Sequence, residues 1–428
     1  MPGKLSLPFI LSSLLFCSCA SGGSRRGDYS LAPGLLKEAG KLLEQSRSAL
    51  NEEDLQEARH RSEKAISLLL SAPEENESKT NLLDALYRIN LRIMHIESSA
   101  VSVQEPEPGS YAGVPLVWNG RVEKWIDYYT GSGRGYFSLW LERSGKYMKL
   151  VKTILREGDL PEDLACMVMV ESGFNPFAYS PKKAAGLWQF IKETGKLHGL
   201  SVTAWFDERR DPIKATQAAV SALKYLYGKF GDWYLVFAAY NCGSRRVEQA
   251  IKDAGTNDFW QLSLPHETEN FVPKIVASLF ILKDPQVYGF DILPKDPALW
   301  EAVDLPGAVD FKTIARCAEM AVEELHELNP ELNQMCTPPD CGIYSIRLPV
   351  GKKDAFTANF ACLTEPEKYL APEELKKREN PYRVYQVQAG DNLWKIAKKF
   401  RTTVPKLKKQ NKLKSNVLFP GQKIRIYR

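Results

Sequence analysis

The sequence of 428 residues has no run of about 20 consecutive apolar residues, the length that a helix needs to span a bilayer. Its most apolar stretch, residues 5–16, follows Lys4 near the amino terminus and is too short to span a membrane. A basic start, a short apolar stretch and small residues after it are typical of a secretory signal. We therefore predict that residues 1–19 are a signal region and that the protein is exported to the cell envelope or periplasm.

The end of this signal region resembles the lipid-attachment motif of bacterial lipoproteins. Cys19 follows Ser18, which fits the motif, whereas Phe16 occupies a position where leucine is usual. We favour Cys19 as a lipidated first residue of the mature chain, and simple cleavage is the alternative. Acyl chains on Cys19 would anchor the protein to a membrane surface.

Histidine is scarce and the cysteines are scattered, although these residues build most metal sites. The chain has five histidines and no Cys-x-x-Cys pair, so we predict neither a metal nor a cofactor. Six of the eight cysteines follow the signal region, and an exported protein permits disulfides. Cys336 and Cys341 flank Thr-Pro-Pro-Asp and are candidates for a disulfide that closes a small loop.

Acidic residues are almost absent from the end of the chain. Residues 381–428 contain 13 lysines and arginines and one acid, Asp391. The net charge of this segment is +12. Because the whole chain has a net charge of +5, the residues before the segment sum to −7. A basic tail on an acidic body favours an anionic partner, and a solvated basic face is the alternative.

The pattern of apolar residues divides the body of the chain. Leucines recur near helical period over residues 31–100, and prolines and a glycine mark residues 101–115 as a linker, so residues 20–114 are a helical region and linker. Residues 115–290 are rich in aromatic residues and lack an alternating strand pattern, which predicts a mostly α domain.

Two related units follow, at residues 300–352 and 383–428. They share one constant offset between Ile314, Ala315, Val322, Leu325 and Asn329 and their counterparts Ile396, Ala397, Val404, Leu407 and Asn411. Each copy ends in an alternating run, so each is predicted to fold as strand, helix, helix, strand, a small α+β (βααβ) module. A unit this small buries little core, which suits recognition better than catalysis.

One carboxylate stands out in the mostly α domain. The segment after Pro161 is predicted to be a helix that is apolar on every face and therefore buried, and its last turn carries Glu171. Burial disfavours the ionised carboxylate and raises its pKa, which keeps a proton available for general-acid cleavage of a glycosidic bond. The alternative is a carboxylate at a helix end that simply turns to solvent, and this segment by itself favours that alternative, because buried helices that end in glutamate are common.

The residues around and after Glu171 resemble those of the lytic transglycosylases, lysozyme-like enzymes of bacterial wall turnover. The resemblance covers residues 115–290 and rests on five motifs in the order of that family. They are Glu171-Ser-Gly-Phe-Asn-Pro, Ala178-Tyr-Ser-Pro-Lys-Lys-Ala-Ala-Gly-Leu-Trp-Gln189-Phe, Asp211-Pro-Ile-Lys-Ala-Thr216, Ala238-Ala-Tyr-Asn-Cys-Gly243 and Glu267-Thr-Glu-Asn-Phe-Val-Pro-Lys274.

The resemblance implies a mostly α, lysozyme-like catalytic domain in which Glu171 is the one acid/base. Such an enzyme needs no second carboxylate, because the C6 hydroxyl of N-acetylmuramic acid (MurNAc) attacks its own C1 and leaves a 1,6-anhydro sugar. The attack is intramolecular and gains a large effective molarity. The resemblance also implies a sugar-binding groove lined by Ser172, Ser180, Gln189, Tyr240 and Asn241.

One position departs from the pattern of the family. The family usually has tyrosine before Val-Pro-Lys, where this chain has Phe271. If the tyrosine hydroxyl assists the reaction elsewhere, it is missing here. The departure bears on rate or substrate orientation more than on membership, because Glu171 and Tyr240 are both present.

The segment from Tyr385 to Arg428 resembles LysM, a module that binds chains of N-acetylglucosamine (GlcNAc). The resemblance implies one groove loop around Gly390, Asp391, Asn392 and Leu393, and a second from Asn411 to Leu418. The earlier copy, residues 300–352, lacks the Gly-Asp start and is predicted to be a degenerate LysM-like unit. We therefore expect peptidoglycan glycan strands as partner, with a lipid anchor to the membrane.

Three other functions remain to be weighed. A muramidase would cleave the same bond by hydrolysis, and a scaffold would bind the wall without catalysis. The presence of Glu171 and of the Gly186-Leu-Trp-Gln189 stretch argues against a scaffold. Nucleic acid is an unsuitable partner, because the signal removes the protein from the cytoplasm and the basic charge coincides with the LysM-like segment.

Overall fold

The structure is a computed structural model that describes residues 32–71, 77–101, 113–379, 382–388 and 390–427. The signal region with Cys19 and most of the predicted linker lie outside the described residues. The chain forms two compact units, residues 1–104 and 105–428. Among the described residues, no helix is both long and apolar enough to cross a membrane.

The first unit is a set of helices, as the leucine pattern over residues 31–100 predicts. They are α1 (Ala32–Asn51), α2 (Leu55–Ser71) and α3 (Glu77–Val101). Their leucines and alanines form one core, with Leu69 and Leu86 fully buried. The hydroxyl of Ser46 donates to the carbonyl oxygen of Ala58 (2.6 Å), which ties α1 to α2 inside that core.

The second unit begins with a helical domain, which confirms the mostly α prediction. Its helices are α4 (Gly120–Thr130), α5 (Arg134–Glu157), α6 (Cys166–Ser172), α7 (Lys192–Leu197), α8 (Pro212–Phe230), α9 (Trp233–Cys242), α10 (Ser244–Ala254) and α11 (His266–Lys283). Short 3₁₀ turns lie at Glu162–Ala165, Glu208–Arg210 and Phe259–Gln261.

The sequence sets the starts of these helices and the depth of α6. Asn119, Asp211 and Asp232 cap α4, α8 and α9, because each side chain accepts hydrogen bonds from free backbone N–H groups of the first turn. The predicted buried helix is present as a 3₁₀ turn followed by α6, and Met167 and Val168 are fully buried. Helix α6 packs against α11, so Glu171 sits at the end of a central helix.

Both carboxy-terminal copies fold as strand, helix, helix, strand, as predicted. The first contains β1 (Trp300–Pro306), α12 (Phe311–Cys317), α13 (Val322–Leu328) and β2 (Ile343–Pro349), followed by α14 (Lys353–Ala361), α15 (Glu365–Lys368) and α16 (Pro372–Glu379). The second contains β3 (Tyr382–Gln386), α17 (Leu393–Lys399), α18 (Val404–Asn411) and β4 (Lys423–Tyr427). In each copy the two strands pair antiparallel.

The asparagine shared by both copies holds the module together. The carboxamide of Asn411 donates to the carbonyl of Arg425 (2.8 Å) and accepts from its N–H (2.6 Å). Asn329 makes the same two bonds to Arg347, both at 2.9 Å. The repeat therefore retains asparagine here because it joins the end of the second helix to the last strand.

The first copy is docked onto the helical domain by backbone bonds. The N–H of Asp207 donates to the carbonyl of Glu331 (2.8 Å), and the N–H of Asn333 donates to the carbonyl of Trp205 (2.8 Å). Between these bonds, Phe206 packs against the core of the first copy. Residues 300–349 are thus joined to the segment that leads into α8.

A buried ionic cluster reinforces this junction. The Arg347 guanidinium bonds the Asp211 carboxylate and donates to both carboxylate oxygens of Glu331 (3.1 Å each). The Tyr344 hydroxyl also donates to Glu331 (2.9 Å). Asp211 and Glu331 are each 2% exposed, so their charges depend on Arg347 for compensation.

The two cysteines that were candidates for a disulfide, Cys336 and Cys341, are not bonded to each other in the structure. Both thiols are free, with Cys336 buried and Cys341 exposed. The buried position of Cys336 follows from its backbone bridge to Asp310, which places it in the core of the first copy while Cys341 remains at the surface.

Candidate active site

Glu171 lies in the last turn of α6, where a required glycine ends the helix. Gly173 adopts the left-handed conformation (φ 57°) and caps α6. A Cβ atom at this position would lie 2.3 Å from Cδ1 of Trp140, so the close approach of Trp140 also demands glycine. The Glu171-Ser-Gly motif is thus a helix end that stops the chain directly after the carboxylate.

Glu171 faces a cavity of about 800 Å³, large enough to hold part of a saccharide chain. Residues from α6, the following loops and α7, α8, α9 and α11 form its walls. The lining comprises Val170, Glu171, Ser180, Pro181, Lys182, Ala184, Gln189, Phe190, Ile191, Thr194, Leu197, His198, Ala222, Tyr225, Leu226, Ala239, Tyr240, Asn241, Cys242, Gly243, Ser244, Glu267, Phe271 and Lys274.

The surroundings of Glu171 favour its protonated form, as the sequence predicts. Burial raises its pKa from the ordinary 4.5 to about 8, with the negative charge of Glu267 as a second cause and Lys182 acting against both. A carboxyl with this pKa holds its proton at neutral pH and can give it to a leaving oxygen.

Helix α11 contributes three cavity residues, of which sequence reasoning singled out one. Glu267, Phe271 and Lys274 recur at helical spacing and line the same wall. Glu267 is paired with Lys182 (2.7 Å) across 85 residues of sequence. The Lys274 ammonium lies 4.4 Å from the centre of the Trp125 ring, and burial lowers its pKa. The spacing within the Glu267-to-Lys274 motif could have identified this face.

The loop that carries Ser180 and Gln189 is held by the interior of the domain. Gly186 (φ 82°) is required, because a Cβ there would lie 1.6 Å from the carbonyl oxygen of Arg209. The Arg209 guanidinium donates to the carbonyls of Lys183 (2.8 Å) and Phe190 (3.0 Å). These two bonds fix both ends of the segment from Lys183 to Phe190.

Both predicted groove residues of this loop line the cavity, and both have local partners. The Ser180 hydroxyl accepts from the N–H of Ala184 (3.1 Å). The amide of Gln189 donates to the carbonyls of Gly186 (2.8 Å) and Ala178 (3.3 Å). Gln189 has φ 50°, a strained conformation for a residue other than glycine, and these bonds hold it there.

Tyr240 and Asn241 lie at the end of α9 and line the cavity beside Glu171. The Tyr240 hydroxyl donates to the carbonyl of Trp188 (2.8 Å). Burial, followed by the charge of Glu171, raises the pKa of Tyr240 well above its ordinary value, so the hydroxyl is neutral. Asn241 accepts from the hydroxyl of buried Thr268 (2.8 Å), which fixes its carboxamide.

Ser172, predicted to line the groove, is not among the residues that line the cavity. Its hydroxyl instead bonds the carbonyls of Leu187 (2.8 Å) and Val168 (3.2 Å). Ser172 therefore ties the end of α6 to the turn before Gln189. A hydroxyl next to the acid in sequence points away from it because successive helical side chains face different directions.

Most residues of the second copy that were predicted to contact the glycan instead make bonds that stabilise the fold of that copy. Asp391 accepts from the Tyr385 hydroxyl (2.7 Å) and the N–H of Gln388 (2.9 Å). Asn392 caps α17 through the N–H of Lys395, and Leu393 is buried in the core of this copy. Asn411 is committed to β4, as described above. Gly390 has φ 84°, which only glycine adopts readily.

The first copy has its two corresponding loops bonded to one another. The N–H of Val309 donates to the Thr337 hydroxyl (2.8 Å), and the N–H of Thr337 donates back to the carbonyl of Val309 (3.0 Å). The Arg378 guanidinium from α16 bonds the carboxylate of Asp310. In this copy the loops that would flank a sugar chain are closed against each other.

Three family models match the chain. The Transglycosylase SLT domain matches residues 151–263, and the LysM domain matches residues 385–426. The model described as "Lytic transglycosylase MltD, LysM-like domain" matches residues 300–363. These matches confirm both resemblances found in the sequence and identify the first copy as the LysM-like unit.

Whole-protein comparisons agree with the domain matches. The chain is 34% identical over 292 residues to membrane-bound lytic murein transglycosylase D of Escherichia coli strain K12, which covers 66% of this chain and 64% of that protein. This chain therefore spans less than two thirds of that relative. It is also 35% identical over 148 residues to a protein of Alteromonas sp. strain M-1 named for tributyltin chloride resistance, covering 72% of it.

A solved structure gives a weaker match. The 70 kDa soluble lytic transglycosylase of Escherichia coli aligns with 59% of this chain and 51% of its own, at 18% identity and a TM-score of 0.32.

Proposed function

We propose that this chain, which carries an SLT domain, is a lytic transglycosylase and that it cleaves the MurNAc-β-1,4-GlcNAc bond of peptidoglycan. The observation that carries the proposal is the position of Glu171, a carboxyl with its pKa raised to about 8 in a saccharide-sized cavity. Such a group is protonated where the reaction needs an acid.

Glu171 acts first as acid and then as base. It gives its proton to the glycosidic oxygen as the bond from C1 of MurNAc to that oxygen breaks. The C6 hydroxyl of the same sugar attacks C1, and the Glu171 carboxylate takes the hydroxyl proton. The products are a 1,6-anhydro-MurNAc end and a GlcNAc with a free C4 hydroxyl, and no water is consumed.

The cavity supplies fixed groups for this sequence of steps. Tyr240 is held by its bond to Trp188, Asn241 by its bond to Thr268, and Gln189 by bonds within its own turn. Their donor and acceptor atoms that are not used in these bonds can therefore bind the sugar without first reorganising. Fixed donors and acceptors hold the C6 hydroxyl near C1, which is where an intramolecular attack gains its rate.

Digestion of purified peptidoglycan sacculi tests the proposal. We expect anhydro-muramoyl products from the unmodified protein and a loss of at least about 100-fold in their rate of formation with Glu171→Gln. Glu162→Gln, the same substitution at the start of the same helical segment, is the matched control and should retain activity. Absence of anhydro products from the folded, unmodified protein would overturn the proposal.

One observation favours a second candidate, hydrolysis by a muramidase. Glu267 lines the cavity with Glu171, and a hydrolase uses a second carboxylate to activate water. However, the Glu267 carboxylate is exposed and already paired with the Lys182 ammonium (2.7 Å), so it is not free to hold an attacking water. The transglycosylase reaction is therefore the better-supported assignment.

The other domains place the enzyme on its substrate. The LysM domain holds the protein on glycan strands, and even a weak contact raises the local concentration of substrate at the cavity. The closed loops of the LysM-like unit indicate a structural part joined to the catalytic domain. A signal region with lipidated Cys19 would place the protein in the cell envelope, attached to a membrane.

A further inference from the structure

The LysM domain carries an unusual concentration of positive charge. Nine lysines and arginines lie between residues 395 and 414, and this stretch contains no acid. All nine except Lys408 are exposed. The single acid of residues 382–427 is Asp391, whose carboxylate is already bonded to Tyr385 and Gln388.

Within the described residues of the domain, none of these cations forms an ion pair with a carboxylate, although Asp391 attracts Lys395 and Lys399 at longer range. The ammonium of Lys395 donates to the carbonyl of Gly390 (2.9 Å), and that of Lys408 to the amide oxygen of Asn416 (2.9 Å). Elsewhere in the second unit, lysines commonly have an acidic neighbour, such as Glu327 for Lys146 (2.6 Å). One carboxylate, Asp391, cannot offset nine cations, so most of their positive charge is not neutralised by the described residues of the domain.

Several of these cations lie at the two loops that contain most of the residues predicted to hold the glycan. The first LysM loop is residues 387–392 and the second LysM loop is residues 412–422. They lie side by side where they leave the strands, because two backbone bonds from Val387 to Gly421 and Gln422, both 2.8 Å, continue the pairing of β3 with β4. Lys395 bonds the first loop and Lys408 bonds the second, while Lys414 belongs to the second loop.

Exposed apolar side chains accompany these cations. Trp394 is 63% exposed beside the first LysM loop, and the Lys398 ammonium lies 5.2 Å from the centre of its ring. Val417 and Phe419 are 61% and 68% exposed in the second LysM loop. Aromatic faces stack on sugar rings, so both loops present apolar side chains suited to saccharide, with at least one cation, Lys398, beside them.

Uncompensated like charges repel each other and weaken a fold, unless a ligand of opposite charge binds them. A neutral GlcNAc chain offers no such charge. Peptidoglycan does, because the lactyl group of each MurNAc ends either in its own carboxylate or in a stem peptide with carboxylates. The charge of the LysM surface is thus complementary to the substituents of the wall glycan.

We infer that the LysM domain binds the carboxylates of peptidoglycan together with its sugar chain, so that it prefers wall glycan to an uncharged GlcNAc polymer. The inference rests on the proposed function for the identity of the polymer. It assigns Lys398 and Lys414, one beside each LysM loop, as residues that contact the carboxylates.

Binding to two insoluble polymers tests this inference, with the full chain carrying Glu171→Gln so that the polymer stays intact. The polymers are peptidoglycan sacculi and chitin, which has the same sugar without carboxylates. We expect sacculus binding to weaken as salt rises from about 0.05 M to about 0.5 M, because salt screens exposed charges. Chitin binding should change little over this range.

Substitution then locates the charge. Lys398→Gln with Lys414→Gln should weaken sacculus binding about fivefold and leave chitin binding unchanged, while Lys398→Arg with Lys414→Arg should retain both. Lys353→Gln with Lys376→Gln, two exposed lysines outside the LysM domain, controls for net charge and should alter neither. Amidating the carboxylates of the sacculi should abolish the difference between variants.

Strands stripped of stem peptides identify which carboxylate is bound. If the Gln pair still binds these stripped strands more weakly than the unmodified lysines do, the lysines bind the lactyl carboxylate. If the two proteins bind the stripped strands equally, the lysines bind the carboxylates of the stem peptide. Both results support the inference. Equal sacculus binding by the Gln pair and the unmodified lysines, or an equal loss on chitin, would overturn it. Because binding is measured without cleavage, neither of these results would count against the proposed reaction. Likewise, the absence of anhydro products in the digestion experiment would not count against this inference about binding.

Discussion

The guanidinium of Arg347, in the last strand of the LysM-like unit, bonds the carboxylate of Asp211, the residue that caps α8 of the catalytic domain. These residues lie 136 positions apart in the sequence. Asp211 is two residues from Arg209, whose side chain holds the loop with Ser180 and Gln189. The LysM-like unit is thereby connected to one wall of the cavity.

Removing Arg347 should strongly destabilise the second unit. Arg347→Met leaves the buried carboxylates of Asp211 and Glu331 without a compensating charge, which costs about 3–5 kcal/mol of unfolding free energy. Lys377→Met breaks the exposed pair with Glu374 (3.4 Å) and should cost less than about 1 kcal/mol. Urea unfolding of both variants measures the difference, and equal stabilities would contradict a structural role for this junction.

Glu171→Gln should stabilise the protein, and increasingly so as pH rises. The native carboxyl has its pKa raised to about 8, whereas the unfolded chain ionises near 4.5. The native state therefore keeps a proton that the unfolded state loses, and the stability that this gives is full below 4.5 and is lost as pH rises toward 8. A neutral glutamine has no such loss.

Urea unfolding at about pH 5 and about pH 8.5 measures this effect. We expect the variant to exceed the original protein by on the order of 1–3 kcal/mol at the higher pH and by less at the lower pH. The same substitution at exposed Glu323 is the control. A stability difference that shrinks with rising pH would contradict the burial of the Glu171 charge.

Removing the charge of Lys182 and removing that of Glu267 should shift the pH profile of activity in opposite directions. Activity that needs protonated Glu171 falls as pH rises through the pKa of that group. Glu267 raises this pKa and Lys182 lowers it, so Glu267→Gln should shift the alkaline limb to lower pH and Lys182→Met to higher pH. Measuring kcat/KM against pH checks both, and shifts in the same direction would exclude this electrostatic account.

Restoring the tyrosine of the family should increase turnover. Phe271 is buried in the wall of the cavity that holds Glu171, so Phe271→Tyr adds a neutral hydroxyl to that wall. We expect kcat to rise by up to about tenfold with KM nearly unchanged, because a hydroxyl that meets the reacting groups acts mainly in the transition state. Phe271→Leu controls for packing. A fall in kcat with Phe271→Tyr would mean that the cavity has adapted to phenylalanine.

The sequence was sufficient for features that depend on local pattern. The apolar helix before Glu171, taken with the family motifs that follow it, predicted both the burial and the raised pKa of Glu171. The constant offset between the two copies predicted that they share the order strand, helix, helix, strand. Asn411 shows the limit of such patterns, because a repeat retains framework residues as well as ligand contacts. Its bonds to Arg425 make it part of the framework.

Features that are formed by residues far apart in the sequence could not be predicted from local sequence patterns. No local pattern joins Arg347 to Asp211, or Lys182 to Glu267, since each pair forms only when separate elements pack. The family resemblance implied that Ser172 lines the groove, yet helical geometry turns its hydroxyl to the carbonyl of Leu187. The Cys336–Cys341 spacing permitted a disulfide, but the backbone of the first copy places one thiol inside and the other outside.

Digestion of sacculi in water enriched with the heavy isotope of oxygen tests the central claim most directly. If the C6 hydroxyl of MurNAc is the nucleophile, the released ends are 1,6-anhydro sugars that contain no heavy oxygen and are lighter than reducing ends by one water. Mass spectrometry of the products should find these ends with the unmodified protein and lose them with Glu171→Gln. Reducing MurNAc ends that carry one heavy oxygen would contradict the account, because they would require water, and not the substrate, to attack C1.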